Sequence, residues 1–227
     1  MNFIIDKTMS ERMIYKLSKY GNIYWSMEIN SNDKAISTHP DLQIHFINSD
    51  TAVCAPETAA YYRDILPDFI NIVCGDKNLG ANYPEVSAYN IARVGRYIIC
   101  NTKIADTKIL EYYKNNGFTI IHVNQGYTKC NVCPLTENLF ITEDRGIYNA
   151  VKCVRGIDVT ILDKYIVKLN GFENGFIGGA SGLADRKLFM CGKVSDDKIK
   201  NIAERYSIEI IELSDEPLYD YGSIIVF

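Results

Sequence analysis

No run of apolar residues in this 227-residue chain approaches the length that crosses a bilayer, which excludes a helical membrane span. The start, MNFIIDKTMSERM, offers only residues 3–5 before Asp6 and Lys7, too short for the apolar core of an export signal, so a cytoplasmic location is expected. Excess positive charge is also missing. The formal net charge is −4 and the 24 lysines and arginines are scattered, so neither nucleic acid nor a membrane is an expected partner. Seven cysteines without an export signal point to free thiols rather than a disulfide framework. There is no second CxxC, no paired-histidine motif, no P-loop ending and no GxGxxG before a helix, so no metal and no cofactor are expected.

What is present is a chain rich in apolar residues, 47% of the total, ample for one continuous core. Its most informative stretch is residues 90–123, NIARVGRYIICNTKIADTKILEYYKNNGFTIIHV. Tyr97, Ile98, Ile99 and Cys100 end a strand. Asp106 caps a helix with Ile109, Leu110 and Tyr113 at helical spacing, Gly117 ends it, and residues 118–123 return as a strand.

The same order recurs along the chain. Strands are predicted at 2–5, 23–27, 43–48, 51–54, 69–74, 139–142, 157–162, 188–191 and 208–213, with helices at 10–21, 58–66 and 196–206. No helix is assigned between 143 and 156. Taking Ile5, Cys54, Cys100, Thr142 and Cys191 as equivalent points gives five pseudo-repeats of about 45 residues. The first unit lacks a leading inner strand, and the closing LYDYGSIIVF is such a strand without a helix. A unit split between the termini predicts a ring closed by the C-terminal strand pairing with the N-terminal unit, which leaves no open sheet edge. The expected architecture is a single α/β domain over 1–227, a five-bladed α/β propeller.

A ring of five such units resembles the pentein fold of the guanidine-modifying enzymes and of a non-enzymatic ribosome anti-association factor. The phrases KCNVCPLTENLFITEDRGI and GFIGGASGLADRKLFMCGK are similar to a bacterial pentein-like family without an assigned activity. The resemblance implies a substrate site on the ring axis, where a fifth-unit cysteine attacks a guanidinium carbon, a fourth-unit histidine moves protons and carboxylates grip the nitrogens. This chain departs from that pattern. Its last strand holds Ser223 where the cysteine is expected, and GGASGLAD carries no histidine.

Cys130 is then the best nucleophile available, beside Lys129 and Asn131 and three residues before Cys133, at the start of the third inner strand. On a strand, thiols three apart face opposite sides and do not share a ligand. Cys54, Cys74, Cys100, Cys153 and Cys191 read as packed thiols, and His122 as a histidine beneath a helix. His39, before Pro40, and His45, on the first inner strand, are the candidate bases if the ring carries either to Cys130. The glycine-rich KLNGFENGFIGGASG suits tight turns at a crowded axis. Candidate ligand-binding residues at the inner-strand approaches are Asn82, Tyr83, Glu85, Lys129, Asn131, Asp185, Tyr219 and Asp220, a carboxylate and tyrosine set suited to a cationic ligand. Three functions stay open: a binding protein or pseudoenzyme for a small guanidino, amino or amino-acid-like ligand; a hydrolase or transferase using Cys130; and a macromolecular interaction protein. The sequence does not specify an oligomeric state.

Overall fold

The computed structural model describes residues 1–31 and 33–227. In chain order the elements are β1 (Asn2–Ile5), α1 (Glu11–Ser18), β2 (Asn22–Trp25), β3 (Ile44–Phe46), β4 (Thr51–Cys54), α2 (Pro56–Ile65), β5 (Asn71–Cys74), β6 (Ala92–Val94), β7 (Tyr97–Cys100), α3 (Thr107–Asn115) and β8 (Thr119–His122). They continue with α4 (Thr128–Asn131), β9 (Cys133–Thr136), β10 (Leu139–Thr142), α5 (Arg145–Val151), β11 (Asp158–Ile161), β12 (Ser181–Ala184), β13 (Lys187–Met190), α6 (Asp197–Arg205), β14 (Glu209–Glu212) and β15 (Ile225–Val226).

These strands form five three-stranded sheets of one design. In four, a hairpin joins the first strand to the middle one, and a helix carries the chain to a third strand parallel to the middle. In the remaining sheet the first strand comes from the far end of the chain: β15 runs antiparallel to β1, with Phe3 opposite Val226 and Ile4 opposite Ile225. The C-terminal strand therefore completes the N-terminal sheet.

Four of the five crossover helices begin at a side-chain cap, and α2 instead starts on Pro56, which has no N–H to satisfy. Ser10, Asp106 and Asp196 accept bonds from the backbone N–H groups of Met13, Lys108 and Lys198, which satisfies donors the first helical turn leaves free. The helix α5, where none was expected, uses Asp144 in the same way, with Ile147 N donating at 2.7 Å. Gly146 in its first turn hides it from a propensity reading, since glycine costs a helix about 1 kcal/mol relative to alanine. Gly117 closes α3 at φ +70°, as a left-handed terminal residue does.

The middle strands are buried on both faces. Ile98 and Cys100 of β7 join the core under α3, while Ile99 joins the one under α5. Likewise Val53 and Ala52 of β4, Phe140 and Ile141 of β10, and Phe3 and Ile4 of β1 divide between neighbouring cores. Burial on both sides makes these strands read as continuous apolar runs, YIIC, LFIT and NFII, rather than alternating ones. Neighbouring sheets thus share cores, and the largest cluster holds Ile141 of β10, Phe189 of β13 and Phe3 of β1 together.

Three expectations need correction. The fifth equivalent point is Met190, not Cys191: the carbonyls of Ile5, Cys54, Cys100, Thr142 and Met190 each accept the N–H just past the third strand of their sheet. His122 lies exposed on the solvent side of β8, with Nδ1 2.8 Å from Thr102 Oγ1. Cys153 is exposed because α5 ends at Val151 and leaves it in a turn, and Cys74 is only half-buried.

Candidate functional site

Five segments lead into the five first strands, and each sends one group to a common point. Asp41 precedes β3, Asn90 precedes β6, Cys130 precedes β9, Gly178 precedes β12 and Ser223 precedes β15. They are joined by hydrogen bonds. Asn90 Nδ2 donates to Cys130 Sγ at 3.1 Å, and the Cys130 thiol donates to Asp41 Oδ2 at 3.0 Å. Ser223 Oγ lies 2.8 Å from the same Asp41 oxygen and 3.0 Å from the Gly178 carbonyl. His39 and Asp220 complete the group: one donor atom each from His39, Cys130 and Asp220 lies within 4.8 Å of the other two. All three side chains are buried.

The backbone explains how these groups are held. Cys130 sits on the one-turn helix α4 rather than on a strand, so the expectation that it and Cys133 face opposite sides of one strand does not apply. Asn90 anchors this turn, its Oδ1 accepting from Lys129 N at 2.7 Å and Cys130 N at 3.2 Å. A Cβ on Gly178 would fall within 2.6 Å of the carbonyl oxygens of Lys129, Cys130 and Val132, so only glycine permits this approach. Asp220 accepts from Phe176 N and Gly222 N, both at 2.9 Å. Gly222, at φ +65°, leaves room for His39.

Burial governs the charge state. It pushes the Cys130 thiol well above its ordinary range, and the nearby carboxylates of Asp41 and Asp220 push further the same way, so this thiol is protonated. Burial also raises Asp220, opposed by the neighbouring His39 and reinforced by Asp41. Asp41 Oδ1 is a buried carboxylate oxygen with no hydrogen-bond partner among the described residues. Such an atom demands a donor or a cation.

The side chains of the other sequence candidates are not bonded into this cluster, although His45, Lys129 and Asp185 line the same cavity as Asp41. His45 is held by Tyr113, Nε2 to Oη at 2.7 Å, and burial pushes it down to about 3, so it is a neutral ring. Asn82, Tyr83 and Glu85 are exposed, with Tyr83 against the Tyr127 ring. Asn131 is buried and donates to the Tyr127 carbonyl, Tyr219 rests against Tyr221, and Asp185 is exposed at the β12–β13 turn. Lys129 is half-buried and, with Asp41, lines a cavity of about 750 Å³ whose walls include residues of β3, β6, β9, β12 and β15. Ile29, Ile36, Leu42, Val86 and Leu169 form an apolar cluster from the same connecting segments. Asp41, Asn90 and Ser223 were not among the site candidates; carrying the repeat register into the segments before the first strands is the signal that finds them.

The sequence pattern of a family described as "Family of unknown function (DUF6873)" matches residues 4–225. No curated protein matches the chain. Among solved structures, the chain is similar to a DDAH from Pseudomonas aeruginosa, a Cys-to-Ser mutant complexed with citrulline, at TM-score 0.58 and 7% identity over 97% of this chain and 92% of that one. It is also similar to SxtG, an amidinotransferase from Microseira wollei in a saxitoxin biosynthetic pathway, at TM-score 0.58 and 11% identity over 92% and 87%. A dimethylarginine dimethylaminohydrolase adduct with 4-chloro-2-hydroxymethylpyridine aligns at TM-score 0.50 and 8% identity over 94% and 92%. The shared architecture is the pentein fold.

Proposed function

The chain belongs to the DUF6873 family, and we propose that it is a single five-bladed α/β propeller over residues 1–227 whose axial site binds a small cationic guanidino or amino ligand. The propeller reading is supported by the β15–β1 pairing, by the cores shared between neighbouring sheets and by the cavity walled by all five first strands. The observation that carries the ligand reading is the unpartnered Asp41 Oδ1, buried close to a second buried carboxylate, Asp220. Two desolvated carboxylates are costly together unless a cation lies between them, and a planar cation with several N–H donors satisfies both. The P. aeruginosa relative's complex with citrulline supports a ligand of amino-acid size.

A second reading, in which Cys130 performs chemistry, is favoured by the approach of His39, Cys130 and Asp220 within 4.8 Å. The positive charge of a bound guanidinium opposes the fields that hold the thiol proton. The proton passes to Asp41 Oδ2, a C–S bond forms at the guanidinium carbon, a C–N bond breaks, and the departing nitrogen takes the proton back. His39 then stands beside the adduct as base for an incoming water.

The test is thermal melting against a panel of guanidino compounds, polyamines and amino acids, in parallel on Cys130→Ala. A ligand at one hundred times its dissociation constant adds about 2.7 kcal/mol of stability. A shift in both proteins without turnover supports the binding reading, and turnover lost in Cys130→Ala supports the catalytic one. No shift from any compound would sink both.

A further inference from the structure

We propose that the cluster at the axis is also a transition-metal site, fitted to Zn²⁺, with His39, Cys130 Sγ and an Asp220 carboxylate oxygen as ligands and Asp41, hydrogen-bonded to Cys130 and outside that trio, moving in as the fourth. The ion goes beyond the ligand reading, because it and an organic cation compete for the same acceptors.

The donor set carries the proposal first. One imidazole, one thiolate and carboxylate oxygens form a mixed N/S/O set that suits Zn²⁺, which binds sulfur at roughly 2.3 Å and nitrogen or oxygen at roughly 2.0–2.2 Å in a tetrahedron. Neighbouring ligands on such a tetrahedron lie roughly 3.3–3.8 Å apart. The structure has His39 Nδ1 at 3.9 Å from Asp220 Oδ1, and ligand atoms of His39, Cys130 and Asp220 lie within 4.8 Å of one another. Shifts of about 1 Å bring the three to metal geometry.

The supports behind the ligands are already made. Asp220 is oriented by Phe176 N and Gly222 N, Cys130 by Asn90 Nδ2, and Asp41 by Ser223 Oγ. Outer partners of this kind orient ligands in metal sites. Asp41 Oδ1, buried and unpartnered, is the atom an ion would satisfy. Asp41 also lines the 750 Å³ cavity, so the cluster borders that cavity through this residue. On binding, the Cys130 S–H bond breaks, the sulfur lone pair forms the metal–sulfur bond and the proton leaves to solvent.

The test is titration of chelator-stripped protein with Co²⁺, which reports thiolate ligation optically. The expected result is one equivalent bound, with a near-ultraviolet sulfur-to-cobalt band and tetrahedral visible absorption, both bleached by Zn²⁺. Cys130→Ser removes the sulfur band, Cys153→Ser keeps it, and His39→Gln weakens binding by about tenfold or more. Absence of the band in the wild-type protein overturns the proposal, as does a band that depends on the exposed Cys153. Circular dichroism checks the Cys130→Ser fold; if that variant fails to fold, the wild-type and His39→Gln titrations decide. Melting stripped protein with the ligand panel separates the two ideas: a ligand shift without a cobalt band removes only the metal, and a band without any shift removes only the organic ligand.

Discussion

The β-α-β frames and the segments leading into their first strands obey different rules. In the frames, a four-residue middle strand is packed between two helix layers, a helix crosses to a parallel third strand, and the last carbonyl of the middle strand accepts the same bond each time. In the lead-in segments, equivalent places are filled by an aspartate, an asparagine, a cysteine, a glycine and a serine, all interlocked. Repetition secures the scaffold, and departure from repetition supplies the chemistry.

The largest break in that contrast belongs to the frames. Phe140→Ala removes a fully buried ring from β10 and is expected to cost about 3–5 kcal/mol in denaturant unfolding, taking scaffold and site together. A loss below about 1 kcal/mol would mean the core there is not packed as described.

Glu143, just past β10, ties the connecting segments together by accepting from Ile166 N and Ile177 N, both at 3.0 Å. Burial pushes its carboxyl up to about 7 from 4.5, so the fold holds that proton more tightly than the unfolded chain does. Its contribution is therefore complete below about pH 4.5 and is lost as pH rises through about 7. Relative to Glu143→Gln, the wild-type protein should lose about 3 kcal/mol across that window. Parallel pH profiles for the two proteins would contradict this.

Gly222→Ala acts on the lead-in segments alone. The residue has φ +65° and its Cβ would lie 2.3 Å from that of His39, so a cost of about 1–3 kcal/mol is expected, with His39 pushed from the cluster. Loss of cobalt or ligand binding beyond the stability change checks it. Asp196→Ala is the mild counterpart: loss of the α6 cap should cost about 1 kcal/mol and leave the axis untouched.

The same contrast explains what was legible in the sequence. Apolar runs such as YIIC and LFIT announce their strands because both faces are buried, and Ser10, Asp106 and Asp196 announce their helices. The first strands were harder to bound. Residues 43–48 shrink to Ile44–Phe46 because Gln43 is already in the lead-in segment, its carbonyl accepting from Ala55 N and its side chain bonded to Met27. In the buried cluster, His39, Cys130 and Asp220 were visible as residue types suited to chemistry. Asp41 and Asn90 were not, because each lies in or just after a 3-10 turn, where neither helical nor strand periodicity marks an inward position. In the approach to β6, Glu85 faces solvent from such a turn and Asn90, five residues on, turns inward.

The central claim is that buried carboxylates at the axis, not the exposed ones around it, bind the ligand. The direct measurement is calorimetric titration of the best compound from the melting panel into wild-type protein, Asp41→Asn and Glu85→Gln. The account predicts that Asp41→Asn weakens binding by about tenfold or more, through loss of a charge-assisted bond worth roughly 1.5–3 kcal/mol, and that Glu85→Gln binds as the wild type does. Equal affinity for Asp41→Asn and wild type, or a loss confined to Glu85→Gln, would contradict it.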